Sequence, residues 1–379
     1  MEPLTYDVAV AGLGGMGSAA LAHCALRGVR AIGIEQFEAA HDLGASGGRT
    51  RIIRQAYYED PAYVPMLLRA YDLWRDLQTR TGEELMRLTG LLMAGSEHSE
   101  VISGSARAAK AYDLPVEYLD AADMRTRYPQ LRVADGEVGV FESRGGAVFP
   151  ERAIRAHLRV ARDAGAHTLF GASVLQWHAQ TDGIGLELSG HRRVRAQSLI
   201  VTLGPWFGDA MRQAGVALEI QRNVQVWYAP SVQAYGADTF PAFLLERESL
   251  PAPLYGFPDF GDGVKAAFHG YGATTQPQDL DREIDAERDV RPVTQAVESW
   301  MPGAAGTYRA GKACMYSLTP DRHFVIDTDP RDRRIVLCGG FSGHGFKFAP
   351  VVGEIAAQLA LDGETAHDIA FLSLRRFAQ

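Results

Sequence analysis

The sequence predicts an α/β protein in which an antiparallel-sheet α+β domain is inserted into a Rossmann-like dinucleotide-binding domain. Three observations predict this class. A strand, a glycine-rich turn and a helix open the chain, and a strand, a glycine-rich loop and a helix close it (334–359). Between them, residues 215–310 are rich in proline, glycine and aromatic side chains and contain short alternating apolar runs. With 379 residues, 46% of them hydrophobic, the chain can form more than one domain.

The opening motif is typical of a dinucleotide-binding turn. A strand (6–11) runs into Gly12-Leu-Gly-Gly-Met-Gly17, a helix follows (18–27), and a second strand (29–34) ends on Glu35. The three spaced glycines allow the tight turn, the approach of a pyrophosphate and the packing of the helix on the strand. An acid at position 35 can bind ribose hydroxyls and would repel the 2′-phosphate of NADP. The motif leaves FAD and NAD open.

The next elements of this domain follow from helix and strand signals. Asp60-Pro61 combines a cap with a proline at the first turn and predicts a helix start. A helix is predicted over 150–164, a hairpin over 174–188 with its turn at Asp182-Gly183, and a buried strand over 198–203.

Composition excludes several functional classes. The net charge of -8 argues against a nucleic-acid-binding protein, which would show a basic face. The three cysteines, Cys24, Cys314 and Cys338, form neither a disulfide framework nor a zinc motif, so we expect no metal. The N-terminus lacks the layout of a signal peptide, and no apolar run has the length of a membrane span. We therefore expect a cytoplasmic protein.

Four clusters of polar residues stand out. Structural alternatives exist for three of them: a solvated basic loop, a half-exposed sheet face and a buried thiol. The fourth, a lysine between two phenylalanines in a glycine-rich loop, is costly unless it is paired or used. The clusters are Arg49 with Arg51 and Arg54, Lys265 with His269, Cys314 with Tyr316, and Lys347.

Taken together, these clusters resemble the monomeric sarcosine oxidase family, which also contains N-methyltryptophan oxidase. The resemblance covers essentially the whole chain. Its specific parts are the opening glycine motif, Thr50-Arg-Ile-Ile-Arg54, Tyr255-Gly-Phe-Pro, Lys265-x-x-x-His269, Ala313-Cys-Met-Tyr316 and Gly340-Phe-Ser-Gly-His-Gly-Phe-Lys-Phe348.

The resemblance implies an FAD-binding domain of the p-hydroxybenzoate-hydroxylase type, formed by residues 1–85, 145–214 and 311–379. Residues 86–144 and 215–310 would form the substrate domain. FAD would be joined through its 8α-methyl group to Cys314. The residues implied to bind the cofactor are Gly12, Gly14, Gly15, Met16, Gly17, Glu35, Arg49, Thr50, Arg51, Cys314, Gly340, Gly343, His344, Gly345, Phe346 and Lys347.

The resemblance also implies roles at the reacting centre. Arg54 and Lys347 would hold the substrate carboxylate, and Lys265 would activate dioxygen beside the flavin N5. Arg51 would lie against the flavin face opposite the substrate. Relatives often carry a histidine where this chain has Gly47, and a tyrosine where it has Leu254. The implied catalytic residues are Lys265, Arg51, His269 and Tyr316, and the implied substrate-binding residues are Arg54, Lys347, Tyr255, Leu254 and Leu245.

The function predicted from this resemblance is oxidation of a small N-methyl amino acid. Hydride would pass to the flavin, dioxygen would be reduced to hydrogen peroxide, and hydrolysis of the imine would release formaldehyde. We expect a monomer without nucleic-acid or membrane partners. The alternatives are a dehydrogenase or oxidase acting on glycine or a cyclic imino acid, and a flavin-binding protein without turnover.

Overall fold

The structure, a computed structural model, describes residues 4–378. Within this range the chain forms eight α-helices. Most of them have one apolar face and pack on a sheet. The helices are α1 (Gly15–Leu26), α2 (Val64–Thr81), α3 (Glu100–Ala111), α4 (Ala121–Arg127), α5 (Pro150–Asp163), α6 (Gly208–Gln213), α7 (Arg291–Trp300) and α8 (Ala349–Asp362).

The described residues also form twenty strands, which assemble into three sheets. The strands are β1 (Leu4–Ala11), β2 (Ala31–Ile34), β3 (Arg51–Ile53), β4 (Met86–Arg87), β5 (Leu91–Ser96), β6 (Glu117–Leu119), β7 (Glu137–Glu142), β8 (Gly146–Val148), β9 (His167–Leu169), β10 (Val174–Gln180), β11 (Gly183–Leu188), β12 (Arg192–Val201), β13 (Glu219–Ala229), β14 (Ala242–Glu246), β15 (Leu254–Phe257), β16 (Val264–Phe268), β17 (Thr274–Thr275), β18 (Thr307–Leu318), β19 (Val325–Asp329) and β20 (Asp332–Gly339).

The first sheet has a parallel centre. Strands β9, β2, β1, β12 and β20 lie side by side in that order and run in the same direction. Val8 and Val10 of β1 pack with helices α1, α5 and α8, whereas Ala9 and Ala11 pack with the β10–β11 hairpin on the other face. Burial on both faces explains why β1 is a continuous apolar run.

The second sheet is mostly antiparallel and has the strand order β17-β13-β16-β15-β14-β5-β7-β6, with β18 beside β13. Alternate residues of β16 face opposite sides. Val264, Ala266 and Phe268 pack with helix α7, and Lys265 and His269 lie on the other face. A small third sheet has the strand order β3-β8-β4.

The α/β class and the antiparallel second sheet agree with the sequence prediction. Position 311, where the last predicted FAD-binding segment begins, falls inside β18, which pairs along its length with β13 of the second sheet. Helix α1 begins at Gly15 rather than at 18, because the glycine motif itself forms its first turn. Among residues 4–378, no helix is both long and apolar enough to cross a bilayer.

Candidate active site

A cavity of about 340 Å³ opens along one edge of the parallel sheet. Its lining residues follow the carboxyl ends of four strands. Gly12 follows β1, Glu35 follows β2, Thr202 follows β12 and Gly340 follows β20. This edge is where open α/β sheets bind their ligands.

Two glycines of the opening motif are required by close approaches. Gly12 has a φ of +87°, and a Cβ at this position would lie 2.5 Å from the carbonyl oxygen of Thr202. A Cβ at Gly15 would lie 2.7 Å from the ring of Phe346. The N-terminus of α1 therefore meets the cavity through bare backbone, where N–H groups can bind phosphate.

Glu35 supplies an ionised carboxylate to the same cavity. Its Oε2 accepts a hydrogen bond from the backbone N–H of Leu13 at 2.8 Å, and its Oε1 accepts one from Phe37 at 3.1 Å. Burial favours the neutral acid, but the hydrogen bonds from His41 and from these N–H groups outweigh it and lower the pKa of Glu35. An ionised acceptor suits ribose hydroxyls.

The wall of the cavity also contains a polar atom without a partner among the described residues. Ser317 lines the cavity, and its buried Oγ makes no hydrogen bond there. Because buried polar atoms are normally satisfied, this hydroxyl indicates a polar ligand. Together with the glycine cradle and Glu35, it fits a dinucleotide such as FAD.

A second, smaller cavity of about 50 Å³ adjoins the first. Arg51, Tyr316, Gly343 and Phe346 line both cavities, so a molecule in one lies next to a molecule in the other. The other residues that line the smaller cavity are Ile52, Arg54, Tyr58, Glu59, Leu244, Tyr255, His269, His344 and Lys347.

Arg54 lies in this smaller cavity with its guanidinium fully enclosed. Nη1 donates to the carbonyl of Ala56 at 3.0 Å and Nη2 donates to Oε2 of Glu59 at 2.5 Å. The rings of Tyr57 and Tyr58 lie 4.3 and 4.4 Å from its Cζ, on which cation–π attraction acts. Burial acts to lower the pKa of Arg54, but Glu59 raises it, so the cation is kept.

Lys347 is the second cation of the smaller cavity. It belongs to a single 3-10 turn that leads into α8, and the indole of Trp74 holds its carbonyl with a 2.9 Å hydrogen bond. Its Nζ donates to the carbonyl of His344 at 2.7 Å and lies 5.0 Å from the centre of the Tyr57 ring. Burial, and then repulsion by Arg54, lower the pKa of Lys347 to about 7.

Glu59 is a functional candidate that sequence reasoning missed. Its Oε2 binds Arg54, whereas its buried Oε1 has no hydrogen-bond partner among the described residues. Burial opposes ionisation, but Arg54, His344 and Lys347 lower the pKa of Glu59 to about 2. An acid only five positions after a candidate carboxylate-binding arginine was the available signal.

Lys265 lies on β16 between the cross-strand neighbours Trp227 and Phe257. Its Nζ donates to the carbonyl of Gly48 at 2.7 Å, and to the carbonyl and the Oγ1 of Thr50 at 2.8 and 3.2 Å. Burial, followed by repulsion from Arg51, holds the pKa of Lys265 well below its usual range. The two rings lie 5.3 and 5.1 Å from the ammonium.

Arg51 and Arg49 point in different directions. The guanidinium of Arg51 lines both cavities and donates to the carbonyls of Thr50, Ala45 and Gly47. Arg49 instead lies on the surface, where it forms a 2.8 Å ion pair with Asp262. Arg49 lines neither cavity, in contrast to the expectation that it contacts the cofactor.

His269 and Tyr316 meet within the smaller cavity, where Nδ1 of the histidine lies 3.2 Å from the phenolic oxygen. The ring of Tyr255 packs edge-on against His269. Burial is the main cause that lowers the pKa of His269 to about 4, so this imidazole is neutral near pH 7. Burial also raises the pKa values of both tyrosines, which therefore remain protonated.

Leu245 and Leu254 do not line the cavity. They are paired across β14 and β15, and both pack into the apolar core beneath helix α7. Their chain neighbours Leu244 and Tyr255 face the cavity instead. The predicted lining role of Leu245 and Leu254 is corrected, because side chains alternate between the two faces of a strand.

Cys314 lies on β18 opposite Asn223 and is 1% exposed. Its Sγ accepts a hydrogen bond from Nε2 of Gln225 at 3.2 Å. The thiol is not itself part of the cavity lining, whereas the next three residues, Met315, Tyr316 and Ser317, are. The cysteine therefore lies directly behind the wall of the larger cavity.

The remaining predicted residues are distributed as follows. Thr50 and Gly17 are buried behind the cavity walls, the latter where a Cβ would meet the carbonyl of Gly12. Of the residues predicted to bind the cofactor, those that line the larger cavity are Gly12, Gly14, Gly15, Met16, Glu35, Arg51, Gly340, Gly343, Gly345 and Phe346.

Within residues 4–378, no group of three or more His, Cys, Asp or Glu side chains is arranged to hold a metal ion.

Comparison with known proteins identifies the family. The family of FAD-dependent oxidoreductases matches residues 7–359. Monomeric sarcosine oxidase of Streptomyces avermitilis is 40% identical, over 100% of this chain and 99% of that protein. N-methyl-L-tryptophan oxidase of Salmonella enteritidis is 34% identical, over 99% of this chain and 100% of that protein.

Solved structures show the same fold. NikD, an unusual amino acid oxidase of nikkomycin biosynthesis, has a TM-score of 0.85 at 24% identity, over 98% of this chain and 97% of that chain. Glycine oxidase from Geobacillus kaustophilus has a TM-score of 0.82 at 19% identity, with 98% of each chain covered. The opening motif left the choice between FAD and NAD open, and the family identifies the dinucleotide as FAD. The chain belongs to the FAD-dependent oxidoreductase family, in the group of monomeric sarcosine oxidase and N-methyltryptophan oxidase.

Proposed function

We propose that this protein oxidises the carbon–nitrogen bond of a small N-methyl amino acid, with FAD as electron acceptor and dioxygen reduced to hydrogen peroxide. One observation carries the proposal. Two buried cations, Arg54 and Lys347, occupy a small cavity that shares a wall with the glycine-lined cofactor cavity. The relatives named for sarcosine and for N-methyltryptophan oxidation support this substrate class.

The two cations would hold the carboxylate of the amino acid. A guanidinium and an ammonium bind a carboxylate through charge-assisted hydrogen bonds. Fixing the acid group fixes the carbon beside the nitrogen against the shared wall, where Arg51 and Tyr316 lie. Positioning of this kind can lower a barrier by about 7–11 kcal/mol at its best.

The charge of the cavity would also favour the reactive form of the amine. Below pH 7, where Lys347 is protonated, Arg54 and Lys347 are opposed by one carboxylate, Glu59, so the site has an excess of positive charge. An ammonium is disfavoured there, both by burial and by like charge. The substrate nitrogen would lose its proton, as its oxidation requires.

Lys265 would serve the reaction with dioxygen. Bound FAD supplies the two-electron chemistry of both half-reactions. Lys265 lines neither cavity, but its Nζ holds the Gly48–Thr50 backbone next to Arg51, which lines both. In its protonated form its partners are neutral oxygens, so its charge would be available to stabilise negative charge on reduced oxygen.

A covalent flavin attached to Cys314 is part of the proposal. The thiol lies one residue from the cavity wall and is already held by Gln225. We expect the yellow colour to stay with acid-precipitated protein, and Cys314→Ser to release it. Cys24→Ser is the matched control, since Cys24 is also buried but lies on α1 in the core. Free flavin in the supernatant of the unmodified protein would end this part of the proposal.

We also propose a monomeric cytoplasmic enzyme with the five-segment division into FAD-binding and substrate domains. The name of the relative monomeric sarcosine oxidase supports the monomeric state. The three buried, unpaired cysteines are compatible with a reducing compartment.

The deciding experiment is an anaerobic flavin-bleaching screen followed by an oxygen-electrode assay. Sarcosine, N-methyltryptophan, other N-methyl amino acids, glycine and pipecolate are each mixed with the holoprotein. We expect bleaching to be fastest with an N-methyl amino acid, and hydrogen peroxide to form on admission of air. Bleaching by glycine or pipecolate alone would contradict the substrate class, and bleaching without peroxide would indicate a dehydrogenase.

A further inference from the structure

The backbone segment 48–56, which carries the candidate arginines, lies antiparallel to segment 142–151. Strands β3 and β8 form the centre of this pairing. A glutamate lies beyond each end of β8, Glu142 before it and Glu151 after it. Each carboxylate accepts hydrogen bonds from two consecutive backbone N–H groups of segment 48–56. The segment is therefore fixed at both ends by a side chain of its neighbour.

Glu142 holds the end that follows Arg54. Its Oε1 accepts from the N–H of Gln55 at 2.6 Å, and its Oε2 accepts from the N–H of Ala56 at 2.9 Å. The carbonyl of Ala56 in turn accepts from the guanidinium of Arg54 at 3.0 Å. Because Glu142 is only 2% exposed, water cannot replace these bonds.

Glu151 holds the other end. Its Oε1 accepts from the N–H of Gly48 at 2.7 Å and from that of Arg49 at 3.1 Å. The carbonyl of Gly48 accepts from Nζ of Lys265 at 2.7 Å. Burial opposes ionisation of Glu151, but the two N–H groups outweigh it and lower the pKa of its carboxyl group.

We propose that Glu142 and Glu151 are positioning residues with separate tasks. Glu142 orients the guanidinium of Arg54 for the substrate carboxylate, and Glu151 orients the ammonium of Lys265 for the reaction with dioxygen. The two tasks rest on the proposed function, whereas the contacts do not. Each glutamate reaches its cation through a single carbonyl group, so the loss of one should leave the task of the other intact.

The test is a pair of isosteric variants of the holoprotein, Glu142→Gln and Glu151→Gln. In Glu142→Gln the amide keeps one acceptor oxygen but turns an N–H group toward the second backbone donor. In Glu151→Gln the single oxygen that accepts both bonds is kept, but it loses its negative charge and therefore holds the two N–H groups more weakly. For Glu142→Gln we expect the Kd of acetate, measured by calorimetry, to rise about tenfold, with the rate constant for reoxidation by dioxygen changed less than about twofold. For Glu151→Gln we expect the reverse pattern.

Glu298→Gln is the matched control. Its carboxylate also accepts from two backbone N–H groups, those of Gly303 and Ala305 at 2.9 and 2.8 Å, and it lines neither cavity. Neither measured quantity should change in this variant. Glu142→Asp provides a milder change should the glutamine variant unfold, and we expect its acetate Kd to be intermediate.

Two outcomes would overturn the inference. One is an equal loss of both quantities in both variants, which a purely structural role would produce. The other is that both variants bind acetate and are reoxidised as the unmodified protein is, which would show that neither glutamate positions its cation. An unmodified protein that does not bind acetate would contradict the proposed function itself, and with it the task of Glu142.

Discussion

The buried cations of this protein occupy two different environments. Arg54 and Lys347 share a cavity with a carboxylate, Glu59, and with a tyrosine ring that contacts both. Lys265 lies between two aromatic rings and donates only to neutral oxygens. The comparison teaches that a carboxylate of the protein balances part of the charge of the first site. Lys265 forms no ion pair within residues 4–378, and burial holds its pKa well below the usual range.

The largest expected effect is at Lys265. In Lys265→Met we expect reoxidation by dioxygen to slow by about 100- to 1000-fold, because a preorganised charge next to the developing anion is lost. Anaerobic reduction by substrate should remain nearly normal, since this lysine is not part of the carboxylate site. Stopped-flow measurement of the two half-reactions checks this. An equal loss of rate in both half-reactions would show that Lys265 does not act on reoxidation alone.

The next effect is at Arg54. In Arg54→Ala we expect the Kd of acetate to rise about 10- to 100-fold, because charge-assisted hydrogen bonds are lost and Glu59 is left unpaired. The acetate Kd of Arg54→Lys should lie between those of Arg54→Ala and the unmodified protein, since lysine keeps the charge but not the planar guanidinium group. Reoxidation serves as the internal control. Unchanged acetate affinity would show that the carboxylate binds elsewhere.

A smaller effect is expected from pH. The pKa of Lys347 is lowered to about 7, so its ammonium is present below that value and is lost above it. The Kd of acetate should therefore rise as pH increases through 7, by up to about tenfold per pH unit, with uptake of a proton on binding above pH 7. Calorimetry in two buffers measures that proton. Lys347→Met should abolish this pH dependence, and a dependence that persists in the variant would point to another group.

The smallest effect is expected at Arg49, the exposed cation. Its ion pair with Asp262 is half in solvent, so Arg49→Ala should change the free energy of unfolding by less than about 1 kcal/mol. Cofactor retention, acetate affinity and reoxidation should all be unchanged. Loss of flavin from Arg49→Ala would show that this arginine does help to bind the cofactor.

The parts of the site that are local in sequence were predictable. The glycine motif and Glu35 are specified by spacing along a single strand–turn–helix unit. Lys265 and His269 were placed on one face by the two-residue period of a strand. What could not be predicted was which face of β14 and β15 meets the cavity, because that depends on packing against α7; Leu245 and Leu254 were therefore misplaced.

Two further misses have conformational causes. Arg49 was grouped with its neighbours, but its guanidinium pairs on the surface with Asp262, a residue more than 200 positions away that the local sequence does not indicate. Glu59 was overlooked because its importance arises only when the chain folds it onto Arg54 and beside Lys347. The strand assignment of 311–318 likewise depended on long-range pairing with β13.

The resident carboxylate in the smaller cavity bears on how turnover ends. A buried guanidinium stripped of its counter-ion is strongly unfavourable, and a site made of cations alone would retain an anionic product. Glu59 already forms an ion pair with Arg54, so this guanidinium has a counter-ion of its own when the product leaves. We therefore expect product release to work against a weaker attraction than two cations without Glu59 would exert.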